Sequence, residues 1–161
     1  MRNKLYIPVV LILILVFGGC PKSIPQQEAQ SSTSFRKDGT LQIKGLDGNL
    51  KASFDIEIAE KEKELMQGLK YRENMEDNQG MLFIFNNVDY HSFWMQDTYL
   101  SLDMIFIDHH NQIISIAKNT SPYNEEPIFP EKPNQYVLEV MAGTCDRLSI
   151  EIADEVTWQK N

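Results

Sequence analysis

Cysteine is almost absent from this chain: Cys20 and Cys145 are the only two among 161 residues. Cys20 closes an N-terminal leader pattern, so no intrachain disulfide framework is available and the fold must hold by its core. Long apolar runs are equally scarce. The longest, Leu5 to Phe17, would span about 20 Å as a helix, short of the roughly 20 residues that a bilayer crossing needs. The well-defined catalytic signatures are also missing. There is no Gly-rich phosphate loop, no Gly-x-Ser-x-Gly elbow, no His-Glu-x-x-His and no Cys-x-x-Cys, and no pattern implies a cofactor.

Basic charge is the remaining shortage. Lys and Arg number 15 against 23 Asp and Glu, a net charge of −8, and removal of residues 1 to 19 with Arg2 and Lys4 would take it to −10. Such a surface repels nucleic acid and anionic lipid headgroups. With 42% hydrophobic residues, what is left of the chain has room for one ordinary globular domain.

What is present at the N-terminus is a secretory pattern. Arg2 and Lys4 precede the apolar run, and Gly18, Gly19 and Cys20 follow it, so residues 1 to 19 read as a cleaved signal peptide. "VFGGC" resembles the lipobox of bacterial lipoproteins, in which the cysteine receives a diacylglycerol. The expectation is an exported protein with Cys20 lipidated, held by acyl chains on a cell membrane or outer membrane, with its domain on the extracytoplasmic side. Each buried CH₂ contributes about 0.8 kcal/mol to such an anchor. Residues 20 to 39, rich in Pro, Gln and Ser, are expected to form a disordered tether.

Residues 40 to 161 alternate short β-like runs with turn signals. "TLQIKG" and "LKASFDIEIA" flank Asp47-Gly48, a hairpin signal. "EKEKELMQGLK" over 60 to 70 predicts a helix with Leu65, Met66 and Leu69 on one face. "GMLFIFN" and "HSFWMQD" read as strands across a short loop, and "DMIFIDHHNQIISIA" as a hairpin turning at His109, His110 and Asn111. The loop over 119 to 134, with Pro122, Pro127, Pro130 and Pro133, is too proline-rich for regular structure. The fold class is α+β, mostly β: an antiparallel or barrel-like sheet of about seven short strands with one or two short helices.

Several ordered motifs carry a resemblance: "GLKYR" at 68 to 72, "GMLFIF" at 80 to 85, Phe93, Trp94, Met95 and Thr98, then Leu102, Asp103, Phe106 and Asp108, and "VLEVMAG" at 137 to 143. Through them the chain resembles the family catalogued as domain of unknown function 192, from about Leu50 to Val156. The resemblance implies a small, mostly β domain, often exported, and no established activity. The family pattern usually has Met at Lys70 and Asn at Asp97, and an amide and a carboxylate are not chemically interchangeable, so no role transfers to position 97.

Two functional readings compete. Along a strand from His91 to Asp97, Phe93 and Met95 would point to the core while Trp94 and Thr98 stand on the other, polar face. That face is either a platform for a small molecule, glycan or protein, formed by Trp94, Thr98, Asp103, Arg72 and the 119 to 134 loop, or is itself covered, with Trp94 as core. The other reading is a hydrolase using Asp97 and Asp103, with or without a divalent cation, and Arg72 orienting an anionic group. In one straight strand these aspartates would lie about 20 Å apart, so that site needs a bend between them, near Arg72 or Glu125 and Glu126. Otherwise Asp103 caps a turn through backbone N–H groups and Asp97 pairs with a basic side chain. His109 and His110 read as a solvated turn and not a metal site, and Cys145 as a buried thiol. Glu139 interrupts an apolar strand face and is either at the core edge or a buried acid, with Arg72 as the partner suggested by sign.

Overall fold

The computed structural model describes residues 34–161. The expected signal peptide, Cys20 and most of the expected tether lie outside the described residues. Seven strands and two short helices follow in chain order: β1 (Gly39–Lys44), β2 (Leu50–Ala59), α1 (Glu62–Gln67), β3 (Gln79–Asp89), β4 (Leu102–Ile107), β5 (Ile113–Ala117), β6 (Asn134–Met141), α2 (Thr144–Arg147) and β7 (Glu155–Lys160). The chain engages the sheet before β1. Arg36 donates through its backbone N–H to Glu57, and the Asp38 carboxylate accepts from the Ile58 N–H.

The strands form one sheet in the order β5-β4-β6-β3-β2-β1-β7. It curls far enough for the β4–β5 turn to meet the start of β7, where Gln112 bridges Glu155. The α+β, mostly β class is as expected, but the sheet is mixed: β2 and β3 run parallel, with Glu57 opposite Met81. Parallel neighbours need a crossover connection, and α1 with the turns after it provides one.

Period-2 alternation splits the core across the sheet. Leu41, Phe54, Ile56, Leu82, Ile105, Leu138 and Val156 fill one side and draw in Cys145 and Ile150 from around α2. Met81, Phe83, Met104, Phe106 and Val137 fill the other, covered by Leu69, Met95 and Leu100. This second face is the one with irregular cover.

Residues 91 to 97 belong to that cover and are not a strand. A single bridge joins Phe93 to Ile128, with the Phe93 N–H donating to the Ile128 carbonyl at 3.0 Å and the reverse bond at 2.7 Å. The alternation of sides nevertheless holds from His91 to Gln96, with Met95 fully buried and Trp94 half exposed.

Candidate functional site

The row Glu57, Met81, Glu139, Met104 runs directly across β2, β3, β6 and β4. Partners opposite one another in register share a face, so two carboxyls lie on the second, irregularly covered face. Glu57 and Glu139 are each only 4% exposed. Burying an acid this way is costly without a partner.

Glu57 has its partner. Arg72 Nη2 donates to both Glu57 oxygens, at 2.9 and 2.7 Å, and both side chains are buried. The Arg36 backbone N–H adds a third bond at 2.7 Å, while Arg72 Nη1 is buried with no hydrogen-bond partner. The pairing of Arg72 with Glu139 suggested by sign is therefore replaced by Arg72 with Glu57. Held this way through Nη2, Arg72 is directed at Glu57, and it does not line the cleft beside Glu139.

Glu139 accepts no hydrogen bond from the described residues and faces a cleft of about 380 Å³. Burial alone pushes its carboxyl up to about 8 from 4.5, because the charged form loses its hydration with nothing in return. The cleft's lining includes Leu65, Gly68 and Leu69 from α1 and the turn after it, the rings of Phe83, Phe85, Phe93 and Trp94, and Thr98. Its volume falls within the range of small-molecule pockets.

Local sequence explains each wall. Glu64 closes the start of α1 by accepting the Lys61 and Glu60 backbone N–H groups. Gly68 ends the helix at φ +48, where a Cβ would come within 3.2 Å of the Phe83 ring, so both the backbone angle and the close approach favour glycine. Phe93 is held edge-on to Phe83, Phe85 and Phe106, with centroids 4.9, 6.1 and 6.2 Å apart. Trp94, 52% exposed, carries the Lys70 ammonium 5.9 Å from its ring centroid. The expectation that a neighbouring element covers Trp94 is not met.

The other expected site residues fall elsewhere. Asp103 lies opposite Val140 and thus on the first core face. It is fully buried, accepting the Asn119 N–H at 2.8 Å and the Cys145 N–H at 2.9 Å on its two oxygens. It accepts backbone N–H groups as expected, but from within β4 and from distant segments, not those of a turn. Asp97 sits in a left-handed turn at φ 57, its carbonyl accepting the Tyr71 N–H, and its carboxylate holds the Tyr71 hydroxyl above the ordinary phenol range. The bend between the two aspartates exists, but Asp103 is on the first core face and neither lines the cleft beside Glu139.

Glu125 and Glu126 are exposed, and the 119 to 134 loop backs the 93 to 95 segment without lining the cleft. His109 and His110 are exposed at their turn, and among the described residues no His, Cys, Asp and Glu group could hold a metal. Burial, reinforced by the Asp103 carboxylate, pushes the Cys145 thiol up to about 12. It is a packed, unreactive group.

A small curled mixed sheet with an acid-floored cleft on one face defines the class of domain. The chain belongs to the DUF192 family, described as an uncharacterized ACR, whose model matches residues 43–158. Two solved structures are similar. One, from Novosphingobium aromaticivorans DSM 12444 and of unknown function, is 34% identical over 74% of this chain and 84% of its own, with a TM-score of 0.70. The other, a candidate transcription regulator from Sinorhizobium meliloti 1021, is 32% identical over 78% of this chain and 98% of its own, with a TM-score of 0.72. No curated protein matches the chain.

Proposed function

We propose that this protein is a non-catalytic, lipid-anchored envelope protein whose domain binds a small, partly apolar ligand in the cleft between α1 and the Phe93-Trp94 segment. The observation that carries the reading is Glu139, a buried carboxyl without a partner at the floor of an aromatic-walled cavity. A fold that only needed to pack would place an apolar residue in that row, as it does at Met81 and Met104 on either side. The membrane anchor rests on the lipobox-like "VFGGC" and on Cys20. A net charge of −8 argues against carrying over nucleic-acid contacts from any relative named as a transcription regulator.

The hydrolase reading has no comparable support, since Asp103 is fully buried on the first core face, away from the cleft. Of the residues expected to bind, Trp94 and Thr98 border the cleft, while Asp103 and Arg72 leave the proposal.

A fragment screen followed by amide chemical shifts tests the cleft: hits should perturb Gly68, Leu69, Trp94 and Glu139 together, and hits confined to other surfaces would overturn it. Cys20→Ala tests the anchor separately. The variant should lose palmitate labelling and leave the membrane fraction, and unchanged labelling would reject lipidation at Cys20.

A further inference from the structure

Glu139 lies at the centre of the second sheet face, and the fold has left it without a counter-charge. Arg72, in the turn after α1, is committed to Glu57 of the same row. Glu139's neighbours on the adjoining strands, Met81 and Met104, carry no charge. Across the cleft the charged groups are Glu60, Glu62 and Lys70. Glu60 is held by Lys160, so among the described residues Glu62 and Glu139 are the two carboxyls of the cavity without such a pair, against the one ammonium of Lys70, and the walls present aromatic rings.

From this geometry we infer that the cleft receives an organic cation, its ammonium seated against the Glu139 carboxylate and its apolar body against Phe83, Phe93 and Trp94. The inference rests on reading the cleft as a ligand site and names the class of ligand. An ammonium offers both the charge and the hydrogen-bond donors that a buried carboxylate lacks. Aromatic faces attract cations as well, and Trp94 already carries one from Lys70. An anionic ligand would meet Glu62 and Glu139 as acids of its own sign, and a neutral one would give Glu139 no charge to ionise against.

Proton balance gives the inference a signature. With its carboxyl pushed up to about 8, Glu139 holds a proton at neutral pH and must release it to solvent when the ammonium seats. One proton leaves per cation bound. Affinity should then rise about tenfold per pH unit up to about pH 8 and level off above it.

The test uses the full-length chain in detergent with three probes of similar size: phenethylammonium, 2-phenylethanol and 3-phenylpropionate, titrated by calorimetry and amide shifts at pH 6, 7 and 8.5. Phenethylammonium should bind at least tenfold more tightly than 2-phenylethanol at pH 8.5 and lose that advantage at pH 6. In Glu139→Gln the advantage should vanish while 2-phenylethanol still binds. In Lys70→Gln, which removes a repelling charge from the rim, the cation should bind a few-fold more tightly. Equal binding of the neutral probe, or a preference for 3-phenylpropionate, would overturn the cation assignment and leave the cleft a ligand site. Failure of all three probes to shift the cleft residues would overturn both readings.

Discussion

Glu57 and Glu139 occupy the same face of the same sheet, in register across Met81, and are buried to the same extent. Only their surroundings differ. Glu57 meets a guanidinium nitrogen and a backbone N–H within 2.9 Å, whereas Glu139 meets open space in the cleft. The first is an internal brace that ties the turn after α1 to β2. The second is buried with no such partner among the described residues, and it is this feature on which the proposed binding site rests. Equal burial of the same residue type thus separates two roles by partners alone.

The largest effect should come from breaking the brace. Arg72→Leu leaves Glu57 buried and charged without a counter-ion, a change that destabilises by roughly 3 to 5 kcal/mol. Urea unfolding measures it, and the double variant Arg72→Leu with Glu57→Leu should recover most of the loss. A single-variant loss below about 1 kcal/mol would mean that water reaches Glu57 and that the two acids are alike after all.

Glu139 should show itself through pH. Its carboxyl has an ordinary value of 4.5 and is raised to about 8 in the folded chain, so between these values the native state holds a proton that the unfolded state has lost. Stability from this group is complete below about pH 4.5, declines as pH rises and is lost above about 8, by an amount on the order of a few kcal/mol. Glu139→Gln removes the ionisation, so its unfolding free energy should decline less than that of the parent from pH 5 to pH 8.5. Parallel profiles would show that Glu139 is hydrated or paired in solution.

Much of this was legible in the sequence, and the misreadings have physical causes. The alternation of apolar residues pointed to about seven short strands, and helix formers to one or two short helices, because burial leaves a period in the chain. It reports which side of a segment is covered and not which backbone it bonds to. Hence Phe93 and Met95 point inward as expected, yet residues 91 to 97 form no strand. Their neighbour is Ile128, and Pro127 and Pro130 beside it have no N–H to continue a ladder. The parallel pairing of β2 with β3 was hidden for a related reason: turn signals announce hairpins, and a crossover through α1 announces nothing. Glu139 was visible as an acid within an apolar strand face. Its isolation was not, because the choice of Arg72 between two equally buried acids depends on register across three strands. Asp103 does accept backbone N–H groups, but from within β4 and from Asn119 and Cys145, 16 and 42 residues away, so local turn chemistry did not reveal its partners.

The smallest expected effect is the most direct probe of the open side. Trp94 is half exposed beside Phe93, which is packed edge-on against three rings. If the cleft is a place kept open for a ligand, Trp94→Ala should change unfolding free energy by no more than about 1 kcal/mol, the scale of a surface cation–π contact and some partly buried area. Phe93→Ala should cost clearly more, since it removes a partly buried ring from the core and leaves a void. Binding should rank them together, because both rings wall the same cavity. A loss above about 2 kcal/mol for Trp94→Ala would place that ring in the core, and the cleft beside Glu139 would then be no more open than the brace beside Glu57.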